Sequence, residues 1–548
     1  MRTPRRSALV RALPAAMLAA PLSLSGPAMA HAPTPPVALC DAASMQLVVG
    51  SEATVVSAVV KATPTAAASY CRVDGYVTTS GPGPNSNKVR FTLSMPQAFA
   101  NRYYFQGEGG SAGFIPEPPE KLLTQGFAFA GTDAGSPTPG VNWAFAFDRT
   151  KAYDYAQRGG HVSAVVTQKL VKAYCALNER RSDERDDDER DGGKPSKRLY
   201  RYHDGCSGGG RMGTVAASWY PDDYDGVIAG APGIHINNQM IFGKIAKHLI
   251  DHPESWVSPA QLLQLEQALV QRFDASDGAI DGLISDPTKV VLDDSLFAAF
   301  TPAQRELLRI VIDGMHDFGQ NYPGYTLGNP IGWSAFMLGT SAPPWSFTPG
   351  HFPPAGFLVF DSTSRGLYGP AYDFTTQLSF ASSADVNGWN AKFEEVFIGS
   401  GTSKPENLRR FFAKGGKMLF WHGTADNGIS MNDMLRYYNE LAAQHHGVEA
   451  TRRFSRLFLV PGTQHCGGGI GAQDVPDQAL AAITRWVEKG EPPHSMVGHA
   501  APNPAVLPRS FLLCAVPEKP HFLGGLDNRS GLDVNDAANW RCERPHGR

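Results

Sequence analysis

The chain has 548 residues, enough for a large buried core, with 18% charged residues and a formal net charge of -3; its pI is near 6.6. A balance so close to neutral offers no basic field for nucleic acid or anionic lipid to select, so neither is an expected partner. Beyond the first residues no run is apolar for long enough to span a bilayer.

The N-terminus reads Met1-Arg2-Thr3-Pro4-Arg5-Arg6, then an apolar stretch over residues 8–24, then Ala28-Met29-Ala30. That is the order of a secretory signal peptide with an A-x-A cleavage site, so residues 1–30 are read as a leader and the mature, secreted or periplasmic chain is expected to start at His31. The Arg5-Arg6 pair hints at twin-arginine export, although the residues after it match that pattern loosely. The seven cysteines are Cys40, Cys71, Cys175, Cys206, Cys466, Cys514 and Cys542. In an exported chain they are read as disulfide partners with one left over, in pairs the sequence alone does not assign. There is no CxxC, which argues against thiolate metal ligands.

Strands are predicted at Val89-Arg90-Phe91-Thr92-Leu93, Tyr103-Tyr104-Phe105 and Phe127-Ala128-Phe129-Ala130, because such continuous apolar runs suit strands buried on both faces. Helical spacing of Val162, Val165, Val166, Leu170 and Val171 predicts a helix over residues 155–177. The charged tract 179–198 cannot bury enough apolar surface to fold alone and is read as a solvated loop. A strand at 199–203, a tight turn at 205–210, a helix at 211–219 and a strand at Val227-Ile228-Ala229 then give the βαβ rhythm of a parallel sheet. From about 233 to 400 that rhythm stops: helical pieces at 259–273 and 302–318 precede Pro/Gly/aromatic-rich loops over 319–387. Sheet character resumes at Lys417-Met418-Leu419-Phe420-Trp421 and Leu457-Phe458-Leu459-Val460, followed by an amphipathic helix over 474–489.

Gly205-Cys206-Ser207-Gly208-Gly209 fits G-x-S-x-G between a strand and a helix, the setting in which a strained turn pushes the serine hydroxyl out above a sheet. Ser207 is therefore the candidate nucleophile, and the Gly208 N–H at the helix start a candidate oxyanion donor. Cys206 is a rival nucleophile, but it would point away from the outward-facing Ser207, and another cysteine lies beside the candidate base, so a disulfide is preferred. His465, just past the strand ending at Val460, is the candidate base, and Asp426, just past the strand ending at Trp421, the candidate acid. The chain order Ser, Asp, His is that of α/β-hydrolases, and His422, on the acid's own loop, fits that order less well as base. Gly109, in Gly107-Glu108-Gly109-Gly110-Ser111 after an early strand, is the second candidate oxyanion donor.

These residues resemble the tannase and feruloyl esterase family of α/β-hydrolases, in which one cysteine precedes the catalytic serine and another follows the catalytic histidine. Here they are Cys206-Ser207 and His465-Cys466, and the likeness runs on through Gly208-Gly209-Gly210-Arg211, through Tyr224-Asp225-Gly226 to Gly230-Ala231-Pro232, and through residues 457–468. The resemblance implies an α/β-hydrolase fold with a large lid domain inserted between nucleophile and acid segments: core 31–232, lid 233–400, core 401–548. It implies disulfides Cys206–Cys466, Cys40–Cys71 and Cys514–Cys542, with Cys175 outside them. Asp274-Ala275-Ser276-Asp277-Gly278-Ala279-Ile280-Asp281-Gly282-Leu283 is similar to the family's calcium loop, with carboxylates from Asp274, Asp277 and Asp281 and carbonyls from Ala279 and Leu283. Phe273 and Val290 stand where relatives often carry bracketing cysteines, which leaves the loop more dependent on the ion. By resemblance the substrate is a small aromatic ester (feruloyl, hydroxycinnamoyl or galloyl), with terephthalate monoesters the nearest rival and a non-catalytic calcium-dependent binding protein the rival from another class. No organic cofactor is expected. Trp333, Phe336, Trp345, Phe347 and Trp389 are candidate aromatic walls, or equally lid core. Oligomeric state is not legible.

Overall fold

The computed structural model describes residues 40–65, 67–183, 198–397, 404–502 and 508–544, with residues 177–183 as backbone only; the expected leader and most of the charged tract lie outside them. Before the insertion come β1 (Thr54–Ala62), β2 (Ser69–Thr79), β3 (Asn87–Pro96), β4 (Arg102–Gly107), β5 (Phe127–Thr132), β6 (Tyr200–Cys206) and β7 (Gly226–Gly230). The insertion holds one minimal pair, β8 (Gly314–Met315) and β9 (Tyr322–Pro323), and β10 (Lys417–Gly423) and β11 (Ser455–Val460) follow it.

Nine of these form one sheet in the order β1-β2-β3-β5-β4-β6-β7-β10-β11. From β5 to β11 the neighbours are parallel, while β1, β2 and β3 add an antiparallel flank. Successive side chains alternate between the faces, as strand geometry demands. Tyr103 and Phe105 of β4 and Met418 and Phe420 of β10 enter the core shared with the insertion. Tyr104, Leu419 and Trp421 enter the second core, against the helix Val475–Lys489. Burial on both faces is why these strands read as unbroken apolar runs.

The chain steps from β4 outward to β5 and returns on the other side of β4 as β6, a reversal of strand order that opens a crevice at the strands' C-terminal ends. Register brings those ends level: Gly107 pairs with Gly205, Cys206 with Gly230, Gly230 with Trp421, and Gly423 with Val460. All the loops that carry the site leave the sheet along this edge.

The insertion is more helical than its composition suggests. The stretch expected as loops contains the helix Ala355–Tyr368 and the start of the helix Ser383–Phe397, and the earlier helix stops at Asp313, where Gly314 adopts a positive φ. Phe360, Trp389 and Phe393 stack at 5.1 and 5.3 Å within this region, so its core is aromatic. Residues Ala38–Arg548 form one compact unit, with the insertion packed into it. After the helix Val475–Lys489 come two antiparallel pairs, β12 (Ser495–His499) with β13 (Ser510–Cys514) and β14 (Lys519–Phe522) with β15 (Trp540–Glu543). Among the described residues no helix is long and apolar enough to cross a membrane.

Candidate active site

Ser207 sits between β6 and the helix Gly208–Trp219 at φ 59°, ψ -119°, a left-handed conformation that a non-glycine residue adopts only under constraint. The constraint is glycine packing. A Cβ on Gly205 would lie 2.6 Å from the Gly209 carbonyl carbon, and one on Gly208 would lie 2.8 Å from the Gly110 oxygen. The turn is thereby pressed against the 107–110 loop, and Gly109 lies beside Ser207, its Cβ direction 3.9 Å from the serine Cβ.

His465 Nε2 stands 2.9 Å from Ser207 Oγ, and His465 Nδ1 stands 3.0 Å from Asp426 Oδ2. The structure thus brings the three sequence-predicted residues into one hydrogen-bonded line. The other Asp426 oxygen accepts from the Gly428 and Ile429 N–H groups at 2.8 Å each. His422 is fully buried behind the acid, with Nε2 3.2 Å from Asp426 Oδ2 and 3.0 Å from the Ile429 carbonyl, so it braces Asp426 and does not reach Ser207. Burial alone would raise the Asp426 carboxyl, but His465 and His422 outweigh it and hold the group well below the usual carboxylate range. Burial likewise disfavours charge on His465, yet the adjacent Asp426 carboxylate raises the imidazole above its ordinary value.

Cys206 and Cys466 are bonded to each other, joining the end of β6 to the residue after the base. Cys40–Cys71 and Cys514–Cys542 are bonded as well, and Cys175 is outside any disulfide. Ser207 and His465 open into a cavity of about 290 Å³ whose apolar wall includes Val141, Trp143, Ile241, Phe242, Phe336 and Val359. Phe336 meets His465 edge-on at 6.2 Å. Of the five aromatic residues expected as walls, Phe336 alone lines this cavity. Trp345 and Phe347 line a separate hollow, and Trp333 and Trp389 are buried in the insertion's core, where packing among aromatic rings takes precedence.

A model of the family described as tannase and feruloyl esterase matches residues 71–301 and 329–536. The chain belongs to the tannase and feruloyl esterase family. As a member of that family it is a carboxylic ester hydrolase. A protein named probable feruloyl esterase from Arthroderma benhamiae is 28% identical over 513 residues, covering 88% of this chain and 87% of that one. Feruloyl esterase B from Aspergillus niger is 26% identical, covering 81% and 82%. Among solved structures, feruloyl esterase B from Aspergillus oryzae (23% identity, TM-score 0.69, covering 87% and 90%) and a tannin acyl hydrolase from Aspergillus niger (19% identity, TM-score 0.69, covering 94% and 96%) share the fold.

The acidic loop packs against the base loop, where a Cβ on Gly462 would lie 2.7 Å from Leu283 Cδ1, and its carboxylates take no part in the triad's hydrogen bonds. Asp274 accepts from the N–H groups of Asp281 (3.1 Å), Gly282 (2.9 Å) and Leu283 (3.4 Å), and Asp281 is paired with Arg509, whose Nη1 also donates to the Asp281 carbonyl at 3.2 Å. Asp277 Oδ2 is buried with no partner, and burial pushes Asp281 up to about 7. Three buried carboxylates in one short loop, of which only Asp281 is paired with a guanidinium, are a donor set suited to a hard cation. Their present rotamers do not gather it: among the described residues no three acidic, histidine or cysteine side chains converge as metal ligands. Ala279 and Leu283 are buried within the same loop.

The sequence reading missed Glu108, buried in the glycine loop with Oε1 unpartnered and pushed up to about 7 by burial. It also missed His235 and Asp433, which line the cavity and meet across 198 positions of sequence.

Proposed function

We propose that this chain hydrolyses esters of aromatic acids, of the feruloyl, hydroxycinnamoyl or galloyl type, through an acyl-enzyme on Ser207. The observation that carries the reading is the unbroken line Ser207 Oγ, His465 Nε2 (2.9 Å), His465 Nδ1, Asp426 Oδ2 (3.0 Å) at the mouth of an apolar cavity. The Asp426 carboxylate can only accept, so Nδ1 carries the ring proton and Nε2 presents its lone pair to the serine hydroxyl. Ser207 Oγ adds to the ester carbonyl as its proton moves to His465 Nε2. The tetrahedral oxyanion takes hydrogen bonds from the Gly109 and Gly208 N–H groups, which need no reorganisation as the charge develops. Collapse breaks the bond to the alkoxy oxygen, which leaves as the alcohol with the proton from His465. Water, deprotonated by the same nitrogen, then releases the acid and restores Ser207.

The cavity's apolar lining suits an aryl group, and the relatives named for feruloyl esters supply the substrate class. Two further assignments accompany this reading. The 274–283 loop would hold calcium through Asp274, Asp277 and Asp281 with the Ala279 and Leu283 carbonyls, as a stabilising ion. Three disulfides and the N-terminal leader favour an exported enzyme.

Turnover of feruloyl, galloyl and terephthaloyl esters is compared for the intact protein and for Ser207→Ala. Hydrolysis of at least one aromatic ester is expected, with a loss of about 10⁴-fold or more in kcat in the variant. Unchanged hydrolysis in Ser207→Ala would remove the nucleophile assignment.

A further inference from the structure

The cavity that holds the triad is also lined by a second Asp–His pair that ester hydrolysis does not use. His235 follows β7 on the loop after Pro232, and Asp433 stands in the first turn of the helix Met431–Gln444. His235 Nδ1 lies 2.9 Å from both Asp433 oxygens, repeating the arrangement at His465 and Asp426 with no serine in front of it. Arg436 Nη2 lies 2.5 Å from Asp433 Oδ1, to which it donates, and 3.1 Å from His235 Nδ1, so the guanidinium and the imidazole converge on the same carboxylate. With Nδ1 held on the carboxylate, Nε2 is the ring's other hydrogen-bonding atom, and it accepts in the Nδ1–H tautomer.

Its neighbours present acceptors too. Asn238 lines the same cavity, and its Oδ1 is buried without a partner. Gln239, 6% exposed, lines the same cavity with Oε1 buried and unpartnered. Buried acceptors with no donor are costly in an empty protein and become favourable when a ligand brings the hydrogen. Arg211 also lines the cavity, but its terminal nitrogens donate to the carbonyls of Ala156 (2.8 Å) and Tyr155 (3.0 Å), leaving only Nε without a partner.

We propose that His235, fixed by Asp433, determines acyl specificity: with Asn238 and Gln239 it forms an acceptor wall that takes hydrogen bonds from ring hydroxyl groups and disfavours a ring carboxylate. The inference rests on the esterase reading above. It is tested with three methyl esters that share one skeleton: cinnamate, 3,4-dihydroxycinnamate and 4-carboxycinnamate. A para-hydroxyl donates electron density and slows attack on the carbonyl, so a preference for the hydroxylated ester reports binding and not intrinsic reactivity.

The expected kcat/KM ratio of hydroxylated to unsubstituted ester is about tenfold in the intact protein, with the carboxylated ester the poorest. His235→Phe keeps a ring and removes the acceptor, and the ratio falls toward one; His235→Gln restores an acceptor and recovers part of it. Gln239→Leu lowers the ratio independently should His235 variants fail to fold. A ratio of one or less in the intact protein, a carboxylated ester turned over best, or a ratio unmoved by His235→Phe overturns the inference while leaving the esterase reading in place. Absence of Ser207-dependent turnover of all three esters overturns both.

Discussion

At the scale of single residues, the site's behaviour is set by how Asp426 is held. Two N–H groups fix one of its oxygens, and His465 and His422 share the other. Because His465 acts only when neutral, and because Asp426 raises its ordinary value of 6.5, the acidic limb of kcat/KM is expected above pH 6.5, with activity lost as pH falls through it. Asp426→Asn removes the charge that favours the imidazolium. Burial then acts alone, so the limb should move to lower pH while maximal kcat falls by about 10⁴-fold. A pH–rate profile of both proteins checks this, and a limb that stays in place in Asp426→Asn sinks the electrostatic account.

Among the elements, the decisive link is the Cys206–Cys466 bond between the end of β6 and the loop after β11, residues 260 apart in sequence. It fixes the distance between nucleophile turn and base loop, and Cys466, one of its two ends, holds a positive φ of 62°. Replacing both cysteines by serine is expected to lower stability by about 2–5 kcal/mol and to reduce kcat even where the protein stays folded. Denaturant unfolding and acylation kinetics below the transition measure the two effects separately; full kcat in a folded double variant would make the bond a purely structural feature. The same elements explain what the sequence made legible. β4, β5, β7, β10 and β11 carry apolar runs buried on both faces, so they stand out, and the triad follows from which strand each residue terminates. β1 was hidden because it is an edge strand that exposes Val56 and Val60 to solvent at 64% and 69%. The helix Ala355–Tyr368 was hidden because its buried face includes Gly356, Ser362, Thr363 and Ser364, residues that read as loop. His235 and Asp433 carry no local signature at all, since each acquires its meaning only from the other across the fold.

At the scale of the whole molecule, the acidic loop links the insertion to the C-terminal strands. Arg509, next to β13, pairs with Asp281; Lys519 of β14 pairs with Asp286; and the Cys514–Cys542 disulfide ties β13 to β15. The loop lacks bracketing cysteines, so its order rests on these ion pairs and, under the calcium assignment proposed above, on the bound ion. A cation that binds the folded loop and not the unfolded chain stabilises by mass action, about 2.7 kcal/mol at a hundred times its Kd. In a chain this long that corresponds to a rise in Tm of a few degrees. Chelation is therefore expected to lower Tm by that amount, and calcium to restore it, while kcat well below the transition stays within about twofold because the loop's carboxylates take no part in the triad's hydrogen bonds. Arg509→Gln supplies the sharper comparison. Without the guanidinium, Asp281 has no protein cation, so the Tm difference between chelated and calcium-loaded protein should widen. Equal melting curves with chelator and with calcium, in both proteins, would show that the ion pairs alone order the loop.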